Sequence, residues 1–295
     1  MKLKDISLAL LVIVIWGVNF SIIKIGLEEL PPLLFSALRF TIVAIPAVFF
    51  VPFPKTSVWN VLGVGLFLGV LKFGFLFFAM DADASAGLSS LLLQSQVFFT
   101  IGLSILLFKE KINQGQIIGI LVATIGFSLF FIETSTNITL LGLVLILMAA
   151  FFWAISNIIM KRTKGVNLLN FMIWVCLIPP LPLLAISYYT ETNTPIELVM
   201  SASTTTWAAL IYVSYASTLV AFAIWGWLLR KYEAVSVTPF ALLIPIVGII
   251  TSSFILQERL SNIEKTGTLL IMFGLIFCVF YNKIFDGLKV KSFTS

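Results

Sequence analysis

Two cations, Arg39 and Lys72, stand inside long apolar runs of this 295-residue sequence. A Lys or Arg at the centre of a membrane span costs about 2.5–3.5 kcal/mol on insertion scales, so each needs a compensating role. Arg39 could hold a carboxylate through a two-pronged fork, and Lys72 as a point charge. For Arg39 the competing reading is structural, with its stem snorkelling toward headgroups or its guanidinium bonding helix carbonyls. Lys72, in Leu71-Lys72-Phe73-Gly74-Phe75, is harder to excuse that way and is expected to face a cavity. Asn19 and Asn157 could hydrogen-bond a substrate or equally glue neighbouring helices. Gln94 and Gln96 are about 200° apart on a helix, so one is expected to face the site and the other a neighbour. Trp16, Trp153 and Trp225 are candidate cavity walls. Trp16 stands near the middle of its run, too deep for an interfacial anchor. Ser252 and Ser253 are weaker polar candidates.

Other chemistry is poorly supplied. There is no histidine, and Cys176 and Cys278 are isolated in apolar runs, which reads as buried inert thiols. Asp81, Asp83, Glu110, Glu133 and Glu258 all fall at the ends of runs. Without a paired nucleophile and base, or a cluster of ligands, neither an enzyme nor a metal or cofactor site is expected. An intramembrane proton relay likewise has no evident carrier. Facilitated export or exchange is expected, or proton coupling through Asp81 or Asp83.

The elements that position these residues follow from composition. Hydrophobic residues are 60 % of the chain, charged residues 11 %, and mean hydropathy is +1.12. Soluble domains are about 25 % charged, so there is too little charge here to coat a water-facing surface. Lipid is the expected partner, and in lipid the backbone must satisfy itself, as helices do. Breaking the chain at charges and at Pro, Asn or Gly clusters leaves ten spans of suitable length. They cover about 6–24, 33–53, 58–80, 84–107, 114–132, 139–160, 167–189, 205–229, 236–256 and 263–282. Placing the N-terminus in the cytoplasm puts Lys2, Lys4, Lys55, Lys109, Lys111, Lys161, Arg162, Lys164, Arg230, Lys231, Lys283, Lys289 and Lys291 inside. Only Lys24, Arg259 and Lys265 fall outside, which supports ten spans with both termini cytoplasmic. The net charge of +5 is thus explained by topology, without nucleic acid as a partner.

The spans repeat. Shifting the first half by 148 residues lays the fourth and fifth spans on the ninth and tenth without a gap. Phe108-Lys109-Glu110-Lys111-Ile112 falls on Leu256-Gln257-Glu258-Arg259-Leu260, Gly119 on Gly267, Gly126 on Gly274 and Ala86 on Ala234. Trp16 precedes Lys24 by eight residues, as Trp153 precedes Lys161. Five spans per half is odd, so the halves cross the membrane in opposite senses. The expected fold is all-α, with ten transmembrane helices in two inverted repeats, 1–135 and 136–284, followed by a short basic tail, 285–295. Inverted repeats commonly build a midplane site that opens to each side in turn. Glycines 63, 65 and 69 and the paired glycines of the fifth and tenth spans are expected to allow close helix packing. Pro239 and Pro245 lack counterparts in the fourth span, where Leu91 and Val97 stand, and mark the ninth span as a gating hinge.

Together these features resemble the drug/metabolite transporter superfamily and, within it, the EamA-type exporters. The stretches that carry the resemblance are 9–20 with Trp16-Gly17-Val18-Asn19, Pro31-Pro32-Leu33, Leu38-Arg39-Phe40, and 86–91 leading into Gln94-Ser95-Gln96. Ile224-Trp225-Gly226, Arg230-Lys231-Tyr232-Glu233, Pro239 to Pro245 and Glu258-Arg259-Leu260 complete it. The resemblance runs from about residue 5 to 283 and is nearest to bacterial exporters of O-acetylserine and cysteine. It implies a multi-pass carrier of the bacterial inner membrane, a monomer or homodimer, that exports small polar amino-acid metabolites. Other cargo of the superfamily, or a channel-like facilitator, is the alternative. Nucleotide sugars would need several cations for the pyrophosphate, and two intramembrane cations are too few. Lys72 departs from the exporter pattern, which favours an uncharged polar residue there, and bears on which cargo is accepted.

Overall fold

The computed structural model describes residues 1–109, 112, 114–132, 138–161, 163, 165–232 and 237–292. Among these, every element is a helix. We label them α1 (Leu3–Gly26), α2 (Pro32–Val48), α3 (Val58–Ala82), α4 (Ala86–Phe108), α5 (Gln114–Ile132), α6 (Leu140–Lys161), α7 (Leu168–Thr190), α8 (Pro195–Ser201), α9 (204–231), α10 (238–255) and α11 (Asn262–Ser292). Helices α1, α3, α4, α6, α7 and α9 are each long and apolar enough to cross a membrane. The apolar stretches Pro32–Val48, Gln114–Phe130 and Phe240–Ile255 are shorter. The chain is a multi-pass membrane protein.

Each expected span meets a helix, with instructive differences at the ends. The second stops at Val48 rather than residue 53, because Pro52 and Pro54 cannot continue a helix and bias their predecessors to extended backbone. The seventh breaks between Cys176 and Pro180, where Pro179-Pro180 removes two backbone donors. The broken segment fits into α3: a Cβ on Gly65 would lie 2.5 Å from Ile178, and Gly69 faces Pro179. The loop after α7 contains the short helix α8, which begins on Pro195. The tenth span runs on to Ser292, through the segment expected as a tail. Glu110, Glu133 and Ala234, and the side chains of Arg230 and Pro239, lie outside the described residues.

One end of the bundle is tied by carboxylates that cap the starts of other helices, where unpaired N–H groups and the helix dipole favour an anion. Glu191 accepts from the Leu33 and Leu34 N–H groups (2.9 and 3.2 Å), and Asp83 from Thr139 N–H (3.2 Å). Glu258 accepts from Ala86 and Gly87 N–H (2.7 and 3.1 Å), joining α10 to α4. Glu29 accepts from Ser203 N–H and the Thr206 hydroxyl, both at 2.8 Å. The Ser203 N–H and then the Thr206 hydroxyl hold the Glu29 carboxyl below the ordinary glutamate range. A lowered folded-state pKa contributes stability above the unfolded value and loses it as pH falls through the folded one. Part of the stability lost between about pH 5 and pH 3 is therefore expected to disappear in Glu29→Gln, read by thermal unfolding at stepped pH.

Irregular helix recurs at the repeat offset. Gly65–Lys72 in α3 and Tyr212–Val220 in α9 are π-helical, and Leu93–Ser95 in α4 and Thr238–Leu243 in α10 are 3-10. The non-glycine residues with positive φ among those described are Lys109 (54°) and Gln257 (57°), 148 positions apart. Helices α5 and α11 pack extensively and antiparallel. A Cβ on Gly119 would lie 2.5 Å from the Gly274 carbonyl oxygen, and one on Gly126 2.9 Å from the Gly267 oxygen. Only glycine allows backbones this close.

Candidate functional site

The two intramembrane cations meet. Arg39, on α2, is 3 % exposed, and Lys72, at the end of the α3 π segment, is 5 % exposed. Phe73 lies between the two helices and serves both: the Lys72 ammonium is 3.4 Å and the Arg39 guanidinium carbon 4.2 Å from its ring centroid. Trp153, on α6, stands 5.0 Å from the same ammonium. Cation–π contact compensates part of the lost hydration, but no acidic side chain among the described residues pairs with either cation. Arg39 Nη2 donates to the Thr218 hydroxyl at 3.3 Å, while its Nε and Nη1 are buried without a partner. Snorkelling is thus excluded for Arg39, whose head points into protein.

The π segment of α9 organises the opposite wall. Widening the helix there lets Thr218 donate to the Val213 carbonyl (2.9 Å) while receiving Arg39, and lets Ser214 donate to the Arg39 carbonyl (3.1 Å). Such bulges are frequent at functional sites. From α1, the Trp16 indole N–H donates to the Ser217 carbonyl at 3.0 Å, and Tyr212 donates back to the Ile15 carbonyl at 2.9 Å. Trp16 makes edge contacts with Phe222 and Trp225, at 5.4 and 5.3 Å between centroids. Helices α1 and α2 therefore converge on neighbouring residues of one segment, Ser217 and Thr218. These two, with Tyr212, Ser214 and Phe73, were missed from the sequence. The polar run 212–218 inside an apolar span was the available signal.

The amides part company. Asn157 donates to Gln96 (2.7 Å) and to Thr100 (3.3 Å), which binds α6 to α4. Gln96 is thus the glutamine that faces a neighbouring helix. Gln94 is buried in the 3-10 turn, and its side chain makes no hydrogen bond among the described residues. Asn19 is 7 % exposed, and its Oδ1 is buried and unpaired. Pro245 is buried at the first α-helical turn of α10, directly after the 3-10 stretch that holds Pro239. A groove of about 660 Å³ between α2, α7 and α8 is lined by apolar side chains and touches neither cation.

Helices α1, α4 and α10 pack closely toward the capped end of the bundle. A Cβ on Gly17 would lie 2.5 Å from Val247, and one on Gly87 2.5 Å from the Ser252 hydroxyl, so α1, α4 and α10 are in near-backbone contact. Lys24, on α1, donates to the carbonyls of Met80 and Ala84 at the end of α3. Beside it, Glu258 caps the start of α4. A cation on a helix C-terminus and an anion on a helix N-terminus, each suited to its dipole, thus clamp one corner.

The EamA-like transporter family matches this sequence twice, over residues 3–132 and again over 140–280. The chain belongs to the EamA-like transporter family. It is a transporter and not an enzyme. A "Probable amino-acid metabolite efflux pump" of Escherichia coli (strain K12) is 41 % identical over 300 residues, covering 99 % of this chain and 100 % of the relative. A protein of the same description from Salmonella typhimurium is 42 % identical over 288 residues, with 95 % and 96 % coverage. One solved structure, described only as a crystal structure of a protein, aligns with a TM-score of 0.62 at 16 % identity, covering 97 % of this chain and all of its own, which shows the fold alone.

Proposed function

We propose that this protein is an alternating-access exporter of amino-acid metabolites of the size of O-acetylserine or cysteine, with the cargo carboxylate held between Arg39 and Lys72. The observation that carries this reading is the pair of buried cations without a counter-ion among the described residues, one of which keeps two N–H donors unpaired. Charges in that state need a partner, and a mobile anion supplies one. The efflux-pump relatives support export.

The ten-helix inverted repeat is the scaffold of this proposal. The double family match supports a division near residue 135, and the paired π segments, 3-10 turns and positive-φ residues support equivalence of the halves. Inversion is supported by α5 and α11, where Gly119 meets Gly274 while Gly126 meets Gly267. Equivalent residues exchange partners in this way about a two-fold axis, and antiparallel helices place that axis in the membrane plane. The positive-inside pattern supports an inner-membrane protein with cytoplasmic termini, so the clamped end faces out. A reporter fused after Glu191 that proved cytoplasmic would overturn that orientation.

The central test is counterflow. Proteoliposomes preloaded with an amino-acid metabolite should accelerate uptake of its labelled form through the wild type and not through Lys72→Gln. Absence of counterflow in the wild type would refute the carrier. Glu258→Gln should loosen the outer clamp, because an amide binds two N–H groups less strongly than a carboxylate. In a background without Cys176 and Cys278, a cysteine at Ser90 is then expected to react severalfold faster with an impermeant maleimide added outside. Unchanged labelling counts against the clamp. Pro245→Ala is expected to slow exchange more than it lowers folded yield, since it regularises the 3-10 to α junction. Unchanged rates count against a hinge in α10.

A further inference from the structure

The unpaired atoms of the site are of both signs. Arg39 offers two buried N–H donors without acceptors, and Asn19 offers a buried carbonyl oxygen without a donor. The Asn19 amide makes no hydrogen bond among the described residues. Asn157, its counterpart four residues after Trp153, has the same chemistry but spends it on Gln96 and Thr100. Both amides could have been interhelical glue, and only one is. A buried amide that binds no neighbour is held for a ligand or is a defect.

Its position favours the ligand. Asn19 is one turn beyond Trp16 on α1, and Trp16 is fixed to Ser217, next to the Thr218 that receives Arg39. Asn19 thus stands one turn along α1 from a contact that adjoins the Arg39 partner on α9. Trp16, Phe222 and Trp225 pack edge to face on that side, and ring faces stabilise an organic cation. An amide oxygen also solves a problem that a carboxylate would create. An Asp or Glu here would pair with Arg39 or Lys72 and fill the site, whereas a neutral acceptor leaves the cations for the cargo's carboxylate.

We propose that Asn19 reads the free ammonium of the cargo, so that the site recognises a zwitterion: carboxylate on Arg39 and Lys72, ammonium on Asn19 Oδ1. This rests on the carrier reading above and adds the substrate class, amino acids with an unmasked amine. Cargo whose amine is acylated leaves the buried oxygen unpaired and is rejected.

The test compares two isomers, O-acetyl-L-serine and N-acetyl-L-serine, as counterflow substrates at pH 6, where the O-acyl isomer persists. They share composition and carboxylate and differ in whether the amine is free. The wild type is expected to prefer the O-acetyl isomer by about tenfold or more, because a site built for a hydrogen bond rejects a ligand that cannot make it. Asn19→Ala should bring the ratio close to one, and Asn19→Asp should slow exchange of both isomers, because a carboxylate there competes with the cargo for the cations. Asn157→Ala should lower both rates together and leave the ratio in place, as loss of an interhelical bond does. A wild-type ratio near one, or a ratio unmoved in Asn19→Ala with transport intact, overturns this inference and leaves the carrier standing. Failure of the wild type to exchange either isomer overturns the carrier reading itself, and this inference with it.

Discussion

Replacing Lys72 or Arg39 with glutamine is expected to abolish exchange, by about 100-fold or more, while making the protein harder to unfold. The two effects have one cause. Both cations are buried and lack a counter-ion among the described residues. Distances to the shared Phe73 ring place them within about 8 Å of each other, where like charges repel strongly in a medium of low dielectric constant. Removing either charge relieves desolvation and repulsion, and replacement of poorly compensated buried charges can stabilise by about 1–4 kcal/mol. The same removal leaves the cargo carboxylate with half its counter-charge, and in Arg39→Gln without the fork, which is a loss of binding at the step that commits the cargo. A higher thermal midpoint with lost counterflow is the signature of a site that sacrifices stability for function. A variant that loses transport and stability together would instead make the pair a structural element. Of the two, Arg39→Gln should gain less stability, because it also gives up the bond to Thr218 and leaves that hydroxyl to a single partner, the Val213 carbonyl.

Leucine in place of Gly119 or Gly274 should prevent the protein from reaching its folded state. A Cβ at either position falls 2.5 Å from the carbonyl oxygen of the other glycine, closer than any relaxed contact, and the atom it meets is backbone. Helices α5 and α11 must therefore move apart along their whole crossing. Overpacking a well-filled core costs about 1–3 kcal/mol for extra methylenes that side chains can absorb; here rigid backbone must absorb them, so the cost is larger. Alanine should already lower the folded yield, and leucine should eliminate the monodisperse peak in gel filtration. Gly102 is the control, since nothing lies within 4 Å of a Cβ built there. Gly102→Ala should be neutral or stabilising by up to about 1 kcal/mol, the propensity difference in a helix interior. Equal tolerance at Gly102 and Gly119 would mean that close approach does not hold these helices.

The membrane class and the helix positions were legible in the sequence because they depend on local composition. The run at 139–160 is apolar for long enough to cross lipid whatever its neighbours do, and its helix, Leu140–Lys161, covers nearly the expected residues. The offset of 148 was legible for the same reason: side-chain identity survives in the chain order, as in Glu110 and Glu258. Breaks at Pro179-Pro180 and after Val48 depend on the missing N–H of proline, also a local property, though they were resolved only once the backbone was in hand.

What the tertiary structure decided is which polar groups are already satisfied. Arg39 and Lys72 are far apart in sequence, and nothing in either span says that Phe73 brings them together. Asn19 and Asn157 were indistinguishable as sequence, each a few residues after a tryptophan. Packing then engaged Asn157 with Gln96 and left Asn19 unpaired, because a hydrogen bond depends on where another helix puts its partner. The π segment 212–220 belongs to the same category. Its polar residues could be read from the sequence, but the widened turn that lets Thr218 meet both Val213 and Arg39 exists only when α2 and α9 are packed. Composition determined that this chain lives in lipid and crosses it repeatedly, because burial of apolar side chains is nearly independent of partners. The choice of which buried charges and amides remain free for cargo was made by tertiary packing, because satisfaction is a property of pairs.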